Sequence, residues 1–316
     1  MAFTIYRSTD GSAPSLTGQT GKLVDLLDAC LVNGYGAKSA AGWAKAFSGT
    51  SKAAYRAPSG ARMYYRVQDD GPGAGTFKEA RITGYESMSD VDTGTNPFPT
   101  AAQGVGSVAM YVARKSAAAD STARAWIVVA DARTCYVFIL TGDVANTYLA
   151  FGFGEFYSMV NSDAYNGFVV GRTSENSATA TVDKLDQLDT TIGNQTNIAV
   201  PRGHSGTGTS VRMNRHGDSS KSASSTLVGT LPYTNPADGG LYLSPIWLAD
   251  PTTSPANGIR GRMRGFWLEL HAASNFADGD TFTGVGDVNG KTFLMLKNSG
   301  SSGIYTLETS DTLETN

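Results

Sequence analysis

The stretch ARAWIVVADARTCYVFIL, residues 123–140, restricts the fold more than any other part of the chain. Two apolar runs flank Asp131-Ala132-Arg133-Thr134, a turn-compatible break. A half-exposed strand alternates apolar and polar residues, and these runs do not. Each is apolar on both faces, so the pair reads as a hairpin at the centre of a sheet. A sheet with such strands needs cover on both sides.

One source of cover lies near the start, in LTGQTGKLVDLLDACLVNGYG, residues 16–36. Leu23, Leu26, Leu27, Cys30 and Leu31 follow the i, i+3, i+4, i+7, i+8 spacing of a helix with one buried face. Asp25 and Asp28 lie off that stripe. Thr20 is the expected N-cap, and Asn33-Gly34 the left-handed C-cap. The stripe has two readings: it closes a sheet of its own chain, or Leu23 and Leu27 pack on a neighbouring subunit.

Most of the remaining chain reads as strand and turn. AFTIYR at residues 2–7 is a short strand. A Gly/Ala/Ser-rich linker then leads to Trp43, Phe47 and Tyr55, which are expected to pin it to the body. In ARMYYRVQDDG, Met63, Tyr65 and Val67 alternate with Arg62, Tyr64, Arg66 and Gln68, the pattern of a half-exposed strand. FKEARITGYESMS and GSVAMYVARKS are further strands. TYLAFGFGEFYSMV is another, with Gly152 and Gly154 marking a bulge or a close backbone approach. GGLYLSPIWLAD, GIRGRMRGFWLELH, DTFTGVGDVNGKTFLMLKN and GIYTLETS complete the set, and Asn289-Gly290 is a strong hairpin signal.

From about Ser174 to Ser225 the composition changes to Ser, Thr, Asn, Asp and Gly, with a low-complexity SSKSASS and few large apolar residues. Such a segment buries too little to fold alone. It reads as a long loop or arm, with one short helix at VDKLDQLDTTIG. The expected class is therefore mainly β: antiparallel, sandwich-like sheets with one N-terminal amphipathic helix and a long polar insert. The expected organisation is 1–50, a strand and helix packing on the body; 51–175, a β domain; 176–225, the arm; and 226–316, a C-terminal β region. The two β regions either share one sandwich or form two.

The 316 residues are ample for a buried core. Charged residues are only 17%, ordinary for a protein covered by neighbours, and 37 glycines imply many turns. With 25 Lys+Arg against 28 Asp+Glu there is no global basic field, so nucleic acid is not an expected partner. No apolar run reaches the roughly 18 residues of a membrane span. The start lacks a basic segment followed by an apolar core, so no signal peptide and a cytoplasmic site of folding are expected. Cys30 and Cys135 read as small buried hydrophobes, and no disulfide between them is expected.

No motif carries a catalytic signature. GVGDVNGKT, residues 284–292, fails the G-x-x-x-x-G-K-[ST] spacing by one residue and precedes a strand, so it reads as a hairpin. GVGSVA, residues 104–109, lacks the crossover helices that a dinucleotide site needs. SDVDTGTN, residues 89–96, begins like an oxygen-ligand loop, but Ala101 stands where a calcium hand needs Glu. His204, His216 and His271 lack metal-site spacing, and there is no G-x-S-x-G. The expectation is no enzyme, no metal and no cofactor. The basic residues Arg202, Arg212, Arg215, Lys221, Arg260, Arg262 and Arg264 read as solvated loop charge or as contacts to acidic surfaces of neighbouring subunits; nucleic acid comes third, because interleaved stacking aromatics are not evident. A carbohydrate site would need Tyr64, Trp126, Trp247 and Trp267 to line one exposed groove.

SLTGQTGKLVDLLDACLVNGYG, GYESMSDVDTGTNPFP, NGFVVGR, NPADGGLYLSPIWL, GIRGRMRGFWLELH, GDTFTG, GKTFL and LETSDT, in that order, resemble a family of tailed-bacteriophage virion structural proteins. The resemblance spans nearly the whole chain and rests on the joint order of stretches that are not chemical signatures. It implies a structural component of the virion without fixing its position; the expected place is the tail, baseplate or collar, with assembly in the host cytoplasm. The alternatives are a head decoration or vertex protein, and a host-surface carbohydrate-binding module. The implied partners are other virion proteins and copies of the chain in a ring or trimer. The family brings no catalytic residues.

Overall fold

The computed structural model describes residues 2–70, 78–143, 148–172, 191–192, 195–196, 198–216, 231–272, 276–297 and 304–310. For 191–192, 195–196, 214–216, 297 and 304 it describes the backbone alone. The fold is mainly β, and every named strand pair is antiparallel.

Three large sheets carry the structure. The central one has seven strands, in the spatial order Thr4–Arg7, Trp126–Ala130, Thr134–Ile139, Leu149–Glu155, Gly167–Val170, Ile198–Val200 and Val211–Arg212. The front sheet joins Ala44–Gly49, Lys52–Arg56, Tyr64–Gln68, Glu79–Asp90 and Thr93–Phe98, with Tyr111–Arg114 beside the start of Glu79–Asp90. The rear sheet joins Asn214–His216, Leu243–Asp250, Gly258–Glu269, Ile304–Glu308, Thr292–Lys297 and Thr281–Thr283, and Tyr157–Ser158 pairs with its long strand.

The doubly apolar hairpin is explained by this layering. Along Trp126–Ala130, residues 126, 128 and 130 enter one hydrophobic core, and 127 and 129 enter another. Cys135, Val137 and Ile139 join the first core, and Tyr136 and Phe138 the second. The first core lies against Tyr55, Tyr65, Val67, Ile82 and Phe98 of the front sheet. The second lies against Ile246, Leu248, Phe266, Leu268, Leu294 and Leu307 of the rear sheet. The central sheet is thus covered on both faces, which is why its strands do not alternate. The two β regions do share a sandwich, and it has three layers.

The amphipathic stretch is helical, as α-helix Lys22–Leu27 continuing into a wider π-type turn, Asp28–Asn33. Leu23, Leu26, Leu27, Cys30 and Leu31 are fully buried in the front core. The helix closes a face of its own chain, so Leu23 and Leu27 are core residues and not subunit contacts. Thr20 is not the N-cap: Gly21, at φ 82°, occupies that position. The Leu23 N–H is taken by Asp69 Oδ2 at 2.8 Å, from the end of strand Tyr64–Gln68. Gly34 turns the chain out at φ 74°, where a Cβ would stand 2.6 Å from the Lys38 carbonyl. Cys30 and Cys135 are both buried and free.

Two other expectations need correction. The segment 176–225 is not simply an arm. Ile198–Val200 and Val211–Arg212 extend the central sheet, and Asn214–His216 pairs with Leu243–Asp250 of the rear sheet. Met213, fully buried, sits where the chain passes from one sheet to the other. These strands are two or three residues long, too short to stand out against polar neighbours. Of the expected helix at 182–193, residues 182–190 and 193 lie outside the described residues, and Thr191–Ile192 pairs as a strand with Gln195–Thr196. Second, Arg66 does not face solvent: it is 5% exposed, with its guanidinium over the Tyr85 ring and 3.4 Å from Asp92. The hairpin expected at Asn289-Gly290 forms: Thr281–Thr283 pairs with Thr292–Lys297, and the two residues lie in the 284–291 connection between them. Gly152 and Gly154 mark a close approach and no bulge, since the register from Leu149 to Gly154 is unbroken.

Candidate functional site

Of the basic residues singled out from sequence, Arg260 and Arg264 go to the interior, and Arg202, Arg212 and Arg262 are half-buried. Arg260 and Arg264 sit on strand Gly258–Glu269, at 1% and 5% exposure. Arg260 forks onto Asp163 with two 2.9 Å hydrogen bonds, donates to the Arg202 and Tyr165 carbonyls, and lies 3.5 Å from Asp250. Arg264 forks onto Asp131 and donates to Thr134 Oγ1. Arg202 is bound to Glu86 of the front sheet and stacks over the Tyr165 ring. Arg212 donates to the Gln103 carbonyl. Arg262 lies over the rings of both Tyr157 and Trp267. Arg215 is in register with Leu248, and its side chain, with Lys221, lies outside the described residues. Arg260 and Arg264 are therefore neither solvated loop charge nor available to a neighbouring subunit. A guanidinium stays charged at any working pH, so once buried it requires such carboxylate partners.

Between strands Leu149–Glu155 and Gly258–Glu269 this arrangement leaves a polar pit of about 220 Å³. Glu155, Asp163, Asn166, Ser158, Arg133 and Arg264 line it, with Tyr157 alongside. Burial pushes the Glu155 carboxyl above its usual range, although it accepts the Ala61 N–H. Burial also pushes Asp163 up, but hydrogen bonds from Arg260 and Ser158 outweigh it and hold that carboxyl low. Two carboxyls with opposite shifts therefore share one pit. Asp163 is already committed to Arg260, so its role there is to hold the wall.

The outer face of the rear sheet carries aromatic residues. Tyr157 and Trp247 are each in register with Arg262, and Pro245 with Trp267. These residues share a face, because directly opposed residues in an antiparallel pair point the same way. Tyr157, Met159, Tyr242 and Ile259 are the large hydrophobic residues left exposed among the described residues. Of the four aromatics singled out from sequence, only Trp247 and Trp267 are on this face. Trp126 is in the front core, donating to the Pro14 carbonyl, and Tyr64 stacks on Phe47 on the far side of the front sheet. The four do not line one groove. Tyr157 was missed, although Phe156 and Tyr157 in GEFYSM end an apolar strand, where one is buried and the other is not.

Two of the three histidine side chains are described. His204 Nδ1 is 3.6 Å from Asp250 Oδ2, and His271 accepts the Tyr242 N–H at Nε2. The side chain of His216 lies outside the described residues. Among the described residues no group of three or more His, Cys, Asp or Glu is placed to hold a metal ion. The oxygen-rich loop at residues 89–96 is a tight hairpin end, with Asp92 paired to Lys52 and Arg66. No helix among the described residues is long and apolar enough to cross a membrane. No protein-family model matches the chain, and no curated protein matches it either.

Proposed function

We propose that this chain is a structural component of a tailed-bacteriophage virion, of the tail, baseplate or collar, which acts by assembly with other virion proteins and copies of itself. The observation that carries the reading is the contrast between its interior and its rear face. Inside, forked Arg–Asp pairs tie the layers together: Arg264 joins the rear sheet to the turn of the central hairpin, and Arg260 joins it to the loop at Asp163. Outside, the rear sheet presents Tyr157, Arg262 and Trp247, residue types enriched at protein interfaces. A rigid three-layer body with an aromatic face suits repeated contact in a particle. The test is composition and reconstruction of purified particles. The chain is expected there in a copy number that is a multiple of a symmetry order, with the rear face against a neighbour. Recovery only as free monomer outside particles would overturn the reading, and a position on the capsid would move it to a head decoration or vertex protein.

A second reading, a host-surface carbohydrate-binding module, is favoured by one feature: the polar pit with Tyr157 at its side. Hydroxyl-rich ligands suit a polar pit beside an aromatic ring. A glycan array with the full chain and with Tyr157→Ala tests it. Binding lost in the variant supports it, and silence of the unaltered protein removes it.

A further inference from the structure

Asp69 and Lys115 take no part in the sites above. Asp69 follows strand Tyr64–Gln68, and Lys115 follows Tyr111–Arg114. These strands pair with opposite edges of Glu79–Asp90: Gln68 and Val112 are both in register with Arg81. Both side chains are fully buried, at 0% exposure each. Lys115 Nζ donates to Asp69 Oδ1 and to the Gln19 carbonyl. Asp69 Oδ2 accepts the Leu23 N–H at 2.8 Å. The other described lysine–carboxylate pairs differ, since Lys22, Lys38, Lys45 and Lys52 are 21–38% exposed and remain hydrated.

We propose that Lys115 and Asp69 are joined by an intramolecular amide bond, formed within the folded chain with loss of one water.

A dry site disfavours the separated charges of an ammonium and a carboxylate. Burial raises the Asp69 carboxyl to about 6 and lowers the Lys115 ammonium, while their mutual attraction and hydrogen bond oppose both shifts. Asp25 acts electrostatically on both groups, and Lys22 on the lysine. Moving one proton from Nζ to the carboxyl gives a neutral amine against a neutral acid. The amine lone pair then attacks Cγ. Negative charge develops on Oδ2, where the Leu23 N–H already points. The Nζ–Cγ bond forms and the Cγ–Oδ1 bond breaks. Oδ1 leaves as water, carrying the carboxyl proton and one proton from the nitrogen. Gln19, which holds the amine, also lines an open surface pocket with Thr20, Lys22 and Ala119, the side on which the water is expected to leave.

The product can keep both outside hydrogen bonds of the reactants. Oδ2 becomes the amide oxygen and keeps the Leu23 N–H. The nitrogen keeps one proton, directed at the Gln19 carbonyl. No charge is left in the core, and every polar atom of the new amide has a partner. The pairing also explains why two fully buried opposite charges are held at the junction of helix and front sheet.

Intact mass spectrometry of the purified, folded full chain tests this, followed by a proteolytic digest. The expected mass is below the sequence mass by one water, with one branched peptide containing both Asp69 and Lys115. Lys115→Arg is expected to restore the full mass. Asp69→Asn is expected to form the same branched peptide with loss of ammonia in place of water. Full sequence mass in the unaltered folded chain, or a deficit without the branched peptide, would overturn the proposal. That readout stands even if neither variant folds.

Discussion

Arg264 and Asp131 are 133 residues apart in the chain and meet as a fork, with Nη2–Oδ2 at 2.8 Å and Nη1–Oδ1 at 3.1 Å. Asp131 also accepts the N–H groups of Arg133 and Thr134, so the same carboxylate shapes the central hairpin turn and receives the rear sheet. The carbonyl of Asp131 accepts the Trp43 indole N–H at 2.6 Å, which brings in the front side as well. All three layers converge on one residue.

Removing one partner of such a buried pair leaves the other charge uncompensated. Arg264→Ala is expected to lower the unfolding free energy by about 3–5 kcal/mol. Arg264→Lys should recover little, because an ammonium cannot reproduce the fork. Urea unfolding is the measurement, read as a shift in midpoint at constant slope. A loss below about 1 kcal/mol would place the pair with ordinary surface ion pairs.

Leu27 tests what the helix covers. It is fully buried in the front core, among side chains of its own chain. Leu27→Ala is expected to lower stability by about 2–5 kcal/mol, and Leu27→Asp to prevent the chain from folding as a monomer. Circular dichroism and gel filtration of the isolated chain would show this. A Leu27→Asp chain that folds normally but fails to assemble would return the stripe to a neighbouring subunit.

The layered fold was legible where the pattern was strong. The absence of alternation in 126–130 and 134–139 announced a sheet covered twice, and the spacing of Leu23, Leu26, Leu27, Cys30 and Leu31 announced its partial cover. What failed was context. Arg66, Arg260 and Arg264 look like solvent-facing charge, because nothing in RGRMRG names the distant Asp131 or Asp163 that permits burial. Thr20 looks like a cap because Asp69, 46 residues from Leu23, cannot be matched to the helix in sequence. Ile198–Val200 and Val211–Arg212 were hidden because two or three residues carry no usable period. The candidate pit was illegible for the same reason: Glu155, Asp163 and Arg264 converge from separate strands and loops.

Gly154 offers a sharper contrast. It sits at φ 131°, where a Cβ would stand 2.4 Å from the Arg133 carbonyl and 2.6 Å from Thr134 Cα. Both obstacles are backbone of the central hairpin, and neither can swing away. Gly154→Ala is expected to destabilise strongly, by more than about 2 kcal/mol, through backbone strain and displacement. Gly11 has open space at its Cβ position and no left-handed φ, so Gly11→Ala should stay within about 0.5 kcal/mol of the parent. Comparable thermal midpoints for the two variants would contradict the packing described for this strand.

Glu269 sets a pH dependence. It is 1% exposed on the rear sheet, accepting the His271 N–H at 3.1 Å and the Thr306 hydroxyl at 3.0 Å. Burial raises its carboxyl from the ordinary 4.5 to about 7, and these two hydrogen bonds only partly offset that. The folded chain therefore holds a proton that the unfolded chain has already released between those values. Stability contributed at this site must fall as pH rises through that window, by about 3 kcal/mol in all, and then level off. Glu269→Gln keeps the acceptor for His271 and removes the titration. The stability of the parent minus that of the variant is expected to be flat below pH 4.5 and to decline towards pH 7. Other buried carboxyls are common to both proteins and drop out of the difference. Parallel urea-midpoint profiles across this range would mean that Glu269 is ionised in the folded state.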